Sequence, residues 1–368
     1  MITSTLSRAT RVVVAALALL AFAPSAGAAL PSAAKLRHDI RGLVAAGVPG
    51  AVVVVRDGRK AVRVAGGSAR LKPRQPMRVD DRFRIGSVTK TYVATVVLQL
   101  VGEGKLTLDD SIERWLPGMV PNGANITLRE LLNHHSGLFD YLEDPQVVAP
   151  YLAGDFGHTW TPQQLVSIGL AHPPVFAPNA QFGYSNTDYV LLGLVVQTIT
   201  GRTIDAELKQ RIFQPLGLRA TSFASAQRIR GAHAHGYLVT GSRSLRDVTA
   251  VSPTHGWAAG AIVSTADDVA RFYRALFSGR LLRPDLLAAM QTATDRWGLG
   301  LEQFEDPCAT PWGHGGAIPG YVSLARNSAD GRRQMVVLVN SESLSSGVGG
   351  DQAEEAYDRL TTTANGCA

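Results

Sequence analysis

Two side chains that can do nucleophilic chemistry, Ser87 and Lys90, stand three residues apart at the start of a long apolar stretch. Residues at i and i+3 share one face of a helix, and a helix this apolar is normally buried. Burial lowers the pKa of a lysine, and the positive end of the helix dipole acts in the same direction. A neutral amine beside a hydroxyl is a general base beside a nucleophile. The alternative is a helix-capping serine and a lysine whose amine reaches solvent.

The same Ser-x-x-Lys spacing occurs a second time, at Ser32 and Lys35. There we predict an exposed helix start without chemistry, because only the segment that follows Ser87 is almost wholly apolar. The spacing alone therefore does not identify a catalytic pair, and the surrounding sequence has to decide.

Two later stretches carry polar groups that suit the same chemistry. Tyr184 and Asn186 lie between a loop rich in glycine and proline and a helix, where they can position a phenol and an amide. In the alternative interpretation Asn186 caps the helix and Tyr184 packs. His314 precedes Gly315 and Gly316 on or beside a late strand, where glycines let a substrate approach the backbone closely. His314 can supply a positive charge or a hydrogen bond, and the alternative is a surface histidine in a turn.

Secondary-structure signals place these groups on a frame of strands and helices. Runs 51–55 and 61–65 flank an Asp-Gly turn and predict a β-hairpin, followed by a polar loop at 66–81. Further strands are predicted at 297–304, 321–326 and 334–340. Helices are predicted at 32–46, 87–102, 186–198, 265–278 and 351–363, and a capping box marks another start at 127–130.

The order of these elements predicts an α+β fold with a mostly antiparallel sheet. Strands come first and last, so the first hairpin pairs with the last strands and the terminal helices cover the sheet. We expect a discontinuous sheet domain, residues 29–105 and 250–368, interrupted by a mostly helical insertion at residues 106–249.

Residues 1–28 have the features of a secretory signal peptide. Arg8 and Arg11 precede an apolar run at 12–23, and residues 26–28 offer a small-residue cleavage site. The run is well short of the roughly 20 residues that span a bilayer. We therefore expect a secreted protein with no membrane span after signal cleavage.

The charge of the chain argues against a nucleic-acid-binding protein. The net charge is +6, or +4 without the two arginines of the signal, and no basic run is interleaved with aromatic residues. Nucleic-acid binding is therefore not indicated.

Export permits a disulfide between Cys308 and Cys367, which would stabilise the fold by roughly 4 kcal/mol in the chain-entropy model. The alternative is two unrelated thiols, and we predict no metal site, because His233 and His235 lack a convincing third ligand.

Taken in order, Ser-x-x-Lys, Tyr-x-Asn and His-x-Gly resemble the motifs of the serine β-lactamase and penicillin-binding protein superfamily. Residues 83–90, 104–110, 131–138 and 259–268 are also similar to sequences of that family. The likeness is nearest to secreted D-alanyl-D-alanine carboxypeptidases of actinomycete type, in the class C-like branch, which also have a late cysteine pair. It implies a β-lactamase/transpeptidase-like fold, an active site between the sheet and the helical domain, and no cofactor.

The resemblance implies a role for each motif residue. Ser87 attacks the substrate carbonyl and becomes acylated, and Lys90 takes its proton. Tyr184 relays protons to and from the leaving group, and Asn186 binds both the substrate amide and Lys90. His314 stands where many relatives have lysine and supports Tyr184.

Further positions are implied to bind the substrate. The backbone N–H groups of Ser87 and Ala317 form the oxyanion hole. Gly315 and Gly316 lie beside the substrate. Trp257 lines the cleft or, alternatively, packs in the core.

The sequence departs from the carboxypeptidase pattern at two places. Relatives often read His-Thr-Gly-Thr at the third motif and use the hydroxyls to hold a terminal carboxylate, but residues 314–317 carry no hydroxyl. Relatives also tend to place arginine after Gly-Leu-Gly-Leu, where this chain has Glu302. A carboxylate-binding subsite is therefore weakened, and Glu302 can repel a carboxylate.

Several functions remain compatible with these motifs. The first expectation is D-alanyl-D-alanine carboxypeptidase or transpeptidase action on peptidoglycan peptides, by an enzyme that β-lactams acylate. An esterase or D-aminopeptidase/amidase of the same fold comes next, and a β-lactamase third. The non-enzyme alternative is a penicillin-recognising sensor module, against which the intact Ser87, Lys90 and Tyr184 argue. We expect peptide or small acyl substrates and a monomer.

Overall fold

The computed structural model of the protein describes residues 29–240, 244–306, 309–342 and 351–366. The helices are α1 (Ala33–Ala45), α2 (Thr89–Gly102), α3 (Ile112–Trp115), α4 (Leu128–Leu132), α5 (Pro145–Leu152), α6 (Pro162–Leu170), α7 (Asn186–Thr200), α8 (Ile204–Leu208), α9 (Trp257–Gly260), α10 (Ala266–Phe277), α11 (Pro284–Met290) and α12 (Asp351–Asn365). The strands are β1 (Gly50–Asp57), β2 (Lys60–Arg70), β3 (Gln75–Pro76), β4 (Phe83–Arg84), β5 (Ser222–Phe223), β6 (Tyr237–Thr240), β7 (Ser244–Asp247), β8 (Ile262–Ser264), β9 (Glu302–Gln303), β10 (Trp312–Ile318), β11 (Tyr321–Asn327) and β12 (Arg333–Val339). The predicted signal segment and both cysteines, Cys308 and Cys367, lie outside the described residues.

An antiparallel sheet of seven strands, in the order β3-β2-β1-β12-β11-β10-β9, confirms the predicted α+β fold. Strand β1 is a run of valines because both of its faces are buried. Val53 and Val55 face a cluster shared with α1 and α12, whereas Val52 and Val54 face the larger core shared with α2 and α10. The terminal helices α1 and α12 therefore cover one face of the sheet, as predicted, and α2 and α10 cover the other.

The β1–β2 hairpin is confirmed, but the polar loop predicted at 66–81 is wrong in its first part. Strand β2 continues to Arg70, and β3 pairs back onto it. A Cβ atom added to Gly66 would lie 2.6 Å from Cγ2 of Ile40 on α1. The glycine allows a helix to lie close against the strand, so it does not mark the end of the strand.

The strand predicted at 297–304 is reduced to the two residues of β9. The chain turns just before it, where the N–H of Gly298 donates to the carbonyl of Leu301. As a result, β9 pairs with β10 only opposite Trp312 and Gly313. The remainder of β10, residues 314–318, forms an open edge of the sheet.

Helices between the two parts of the sheet supply the other wall of the site. The predicted capping box is confirmed: the Thr127 hydroxyl accepts from the Glu130 N–H, and the Glu130 carboxylate accepts from the Thr127 N–H, at the start of α4. Helix α4 packs on α7, which packs on α2. The segment predicted as a helical insertion also contains the short strands β5, β6 and β7, and its exact boundaries stay a prediction. In the described ranges, no helix is both long and apolar enough to cross a membrane.

Candidate active site

Ser87 lies in a 3₁₀ turn, Gly86–Val88, immediately before α2, and not in the α-helix itself. The turn is anchored by the N–H of Ile85, which donates to the carbonyl of Ile262 on β8. Gly86 has a φ of +49°, and a Cβ atom there would lie 2.7 Å from the carbonyl oxygen of Ala317. This left-handed residue brings the turn against β10 and leaves the Ser87 side chain partly exposed, while Val88 is buried.

Lys90, the second residue of α2, is fully buried, and burial lowers its pKa to about 7. The carboxylates of Asp140 and Asp188 oppose this shift and raise the pKa. The Lys90 amine lies 2.7 Å from Oδ1 of Asn186, 3.0 Å from the carbonyl oxygen of Ala259 and 3.2 Å from Oγ of Ser87.

These three contacts determine where the lone pair of a neutral Lys90 points. A neutral amine has two N–H groups, and the Asn186 and Ala259 oxygens accept both of them. The remaining direction, toward Ser87, is left for the lone pair. The amine can therefore accept the Ser87 proton, which is the geometry of a general base beside its nucleophile.

The orientation of Asn186 depends on Asp140, a residue that the sequence motifs did not indicate. The Asn186 Nδ2 group donates to Oδ2 of Asp140 at 2.7 Å, so its Oδ1 must face Lys90. Asp140 also accepts from the N–H of Leu142, which holds the carboxylate in place. Asp140 lies two residues beyond the family-like stretch 131–138, and a lone aspartate in a loop carries no signal of its own.

Tyr184 joins Ser87 and Lys90, as predicted from the Tyr-x-Asn pair. Its ring centroid lies 4.8 Å from Nζ of Lys90. Burial raises the pKa of Tyr184 strongly, and a hydrogen bond with Ser87 offsets part of that rise. The phenol therefore stays protonated at neutral pH and can act as a proton donor. The ring of His134 packs against that of Tyr184, with 4.3 Å between ring centroids.

His314 lies beside Tyr184 but does not carry the positive charge considered from the sequence. The imidazole is buried, and burial together with the Lys90 charge lowers its pKa to about 3. Nδ1 donates to the carbonyl of Gly315, because a carbonyl oxygen can only accept. Nε2 is then an acceptor, and it has no partner among the described residues. His314 thus offers a hydrogen-bond acceptor beside Tyr184, and the centroids of the two rings lie 6.3 Å apart.

The open edge of β10 lies against the 3₁₀ turn that contains Ser87, at the place predicted for the oxyanion hole. We call this place the oxyanion corner. A Cβ atom added to Gly316 would lie 3.1 Å from the backbone nitrogen of Ser87, and one added to Gly86 would lie 2.9 Å from that of Ala317. The hydroxyl of Ser323 on β11 donates to the carbonyl of Ile85 and ties the two segments together. The two backbone N–H groups therefore approach the same corner of the site.

A cleft with a volume of about 380 Å³ opens over this corner. We call it the Ser87 cleft, and its walls are formed by Ser87, Tyr184, Trp297, Glu302, His314, Gly315, Gly316, Ala317, Val322, Ser323, Leu324, Arg326 and Tyr357. A larger cavity, of about 760 Å³, is lined by residues between 205 and 230 and by Val263, and it contains none of the motif residues. The smaller cleft is the candidate site because it holds the nucleophile.

Trp257 does not line the Ser87 cleft, so the core alternative describes it better. A Cβ atom added to Gly193 would lie 2.7 Å from the Trp257 ring, which means that the indole packs directly on α7. The adjacent α9 segment still contributes to the site, because its Ala259 carbonyl accepts from Lys90.

His233 and His235, the histidine pair weighed as a metal site, do not line the Ser87 cleft. The rings of His233 and His235 stack with 5.3 Å between centroids, and His235 bonds to Asp247. Among the residues described, no group of three or more His, Cys, Asp or Glu side chains is arranged to hold a metal ion.

The sequence profile of the beta-lactamase family matches residues 36–357. The chain belongs to this family. Its structure superposes on that of a D-stereospecific amidohydrolase from Streptomyces sp. with a TM-score of 0.82 and 36% identity, over 91% of this chain and 98% of the other. This family member is 30% identical to a D-aminopeptidase of Brucella anthropi over 80% of its own length, but it spans only 56% of that relative. It is 32% identical to penicillin-binding protein 4 of Amycolatopsis lactamdurans, over 74% of each chain.

Proposed function

We propose that this family member is a serine hydrolase that works through an acyl-enzyme on amides and short peptides of D-amino acids. The contacts of Lys90 support the acyl-enzyme chemistry, because they leave its lone pair directed at Ser87. The likeness to a D-stereospecific amidohydrolase and a D-aminopeptidase supports the substrate class.

One observation favours this substrate class over the carboxypeptidase expectation. A carboxypeptidase must hold a terminal carboxylate, but His314 is neutral and residues 314–317 bring no hydroxyl. Among the described residues of the cleft wall, Arg326 is the cation, and its guanidinium already lies 2.7 Å from Asp306. The described residues of the cleft wall therefore offer no unpaired positive charge for a terminal carboxylate.

The proposed reaction begins with attack by Oγ of Ser87 on the substrate carbonyl carbon, while the Ser87 proton passes to Nζ of Lys90. The negative charge on the carbonyl oxygen faces the N–H groups of Ser87 and Ala317. The Tyr184 phenol donates a proton to the leaving amine and regains one from Lys90, so the C–N bond breaks and an ester remains on Ser87. Water then attacks this ester and passes a proton through Lys90 and Tyr184 to Oγ of Ser87. The bond between Ser87 and the acyl group breaks, and the acid is released.

Turnover of matched substrates tests the proposal. We expect the exported protein to release ammonia from D-phenylalanine amide faster than from the L-enantiomer. The Ser87→Ala variant should release ammonia from neither compound. We also expect slower release of D-alanine from diacetyl-L-lysyl-D-alanyl-D-alanine. Faster release from that tripeptide would overturn the proposal in favour of D-alanyl-D-alanine carboxypeptidase action, which has the support of the penicillin-binding relative.

We also propose export and a monomeric state, both of which rest on the sequence. The observation behind export is the charged and apolar pattern of residues 1–28. An N-terminus at Ala29 in protein recovered from culture medium would support it, and an uncleaved chain retained in cells would contradict it. Light scattering after size exclusion measures the oligomeric state directly.

A further inference from the structure

Glu302 is an acidic side chain in the wall of the Ser87 cleft. It lines the cleft together with Ser87 and Tyr184 and is half-buried. Within the described part of the chain, no side chain forms a hydrogen bond or an ion pair with it. Burial raises its pKa, and Arg296 and Arg326 lower it from a distance. Removing a carboxylate from water without a partner costs free energy.

A comparison with nearby acids shows that this arrangement is specific. The carboxylate of Asp306 accepts from Arg326 and from Asn365, each at 2.7 Å. The guanidinium of Arg326 is thus engaged with Asp306 and forms no ion pair with Glu302. Glu305 is exposed to solvent and does not line the cleft. Of these three acids, Glu302 alone lines the Ser87 cleft.

The surroundings of Glu302 suit a small cation. Glu302 lies opposite Gly313 in the β9–β10 pairing, and Gly313 has no side chain that could contact the carboxylate. The rings of Tyr184 and Trp297 line the same cleft, with 5.6 Å between their centroids. Aromatic faces attract cations, and an ammonium ion presents its N–H groups to a carboxylate.

We propose that Glu302 binds the free α-ammonium group of the substrate and so selects D-amino-acid derivatives whose amine is not acylated. This inference rests on the proposed function. The proposed function names the amide bond that is cleaved, and the inference names the ammonium group by which the cleft recognises the substrate. A charge-assisted hydrogen bond of this kind is worth roughly 10- to 100-fold in affinity.

Two pairs of substrates test the inference: D-phenylalanine amide against its N-acetyl derivative, and D-phenylalanine methyl ester against its N-acetyl derivative. We expect wild-type protein to favour the free amine in kcat/KM within each pair by roughly 10- to 100-fold. In Glu302→Gln this ratio should fall toward one, mainly through a higher KM, because the contact exists before and during the reaction. Turnover of the N-acetyl compounds should change little.

Two further variants separate binding from a general effect of charge or folding. Glu305→Gln removes the same charge from an exposed position and should keep the wild-type ratio. Glu302→Asp keeps the charge on a shorter side chain and should restore part of the preference. An equal ratio in wild type and Glu302→Gln, with substrates still turned over, would overturn this inference alone. Failure to hydrolyse any of the four compounds, in protein that still forms a Ser87 adduct with benzylpenicillin, would overturn the proposed function and this inference with it.

Discussion

The chain contains the spacing Ser-x-x-Lys twice, and the two copies have opposite surroundings. Ser32 caps α1, where its hydroxyl accepts from the Lys35 N–H at 3.1 Å and both side chains are exposed. Ser87 precedes α2, and Lys90 is fully buried with three polar contacts. In the first copy the serine serves the helix backbone, and in the second it faces an amine. The difference shows that burial and the partners of the lysine, and not the spacing, create a candidate nucleophile.

The largest effect should come from removing the two serines in turn. Ser87→Ala should abolish acylation by benzylpenicillin and lower turnover by about 10⁴-fold or more, since the nucleophile and its base act as one unit. Ser32→Ala should leave both unchanged. Intact-mass spectrometry after one minute and one hour measures the adduct. A persistent adduct in Ser87→Ala would place the nucleophile elsewhere.

The lysines should differ almost as much. Lys90→Ala should slow acylation by about 10²- to 10⁴-fold, at least as severely as Tyr184→Phe, because it removes the group that takes the Ser87 proton. Lys35→Ala should have no effect on acylation. Stopped-flow measurement of acylation by a fluorescent penicillin gives all three rates. Near-normal acylation in Lys90→Ala would remove this lysine from the role of base.

Two adjacent glycines sharpen the comparison on the strand side of the site. A Cβ atom on Gly316 would lie 2.3 Å from the Ile85 carbonyl oxygen, whereas one on Gly315 would meet no atom within 4 Å. Gly316→Ala should push β10 away from Ser87 and lower kcat by about 10²- to 10³-fold, similar to loss of an oxyanion-hole donor. Gly315→Ala should stay within a few-fold of wild type. Equal losses would show that the corner is not held by close contact.

The pH dependence should follow Lys90. Burial depresses its pKa to about 7, so the amine is protonated and inactive as a base below that pH and neutral above it. Acylation should therefore rise with pH and level off above about 7. Asp140 raises the Lys90 pKa, so Asp140→Asn should move the inflection to lower pH. A shift to higher pH in that variant would contradict the assignment of this titration to Lys90.

The smallest effect is expected at Ser32, in the exposed copy of the Ser-x-x-Lys spacing. Ser32→Ala removes the side-chain cap of α1 and should destabilise the fold by about 1 kcal/mol. Urea unfolding of Ser32→Ala and Ser32→Asp measures this, and the aspartate should retain the cap. Equal stability of both variants and the wild type would mean that the cap contributes nothing.

Sequence reasoning located the motif residues because each element around them has a strong local signal. The valine run of β1 and the apolar α2 were readable directly, and Ser87, Lys90 and Tyr184 come together as their order suggested. Gly66 misled the prediction of β2, because a glycine that admits α1 looks in sequence like one that ends a strand. Asp140 and the Ala259 carbonyl were missed for another reason. One is a lone loop aspartate and the other a backbone group, and only the folded chain brings them to Asn186 and Lys90.

The neutral state of His314 also needed the fold. Its sequence neighbours are glycines, which say nothing about burial, and the low pKa arises from desolvation and the nearby Lys90. The same holds for Glu302, whose proximity to Tyr184 depends on the turn that shortens β9.

The pairing of β1 with β12 has a consequence for the order in which the protein assembles. Val53 lies opposite Val337, so the centre of the sheet joins segments from distant parts of the chain. Contacts this far apart in sequence form slowly, because a long loop must close first. Ser87 is also synthesised well before β10, the strand that completes its oxyanion corner. We therefore expect a growing chain to be unreactive toward penicillin. During refolding with a fluorescent penicillin present, acylation should appear only in the last kinetic phase, after most helical signal has returned.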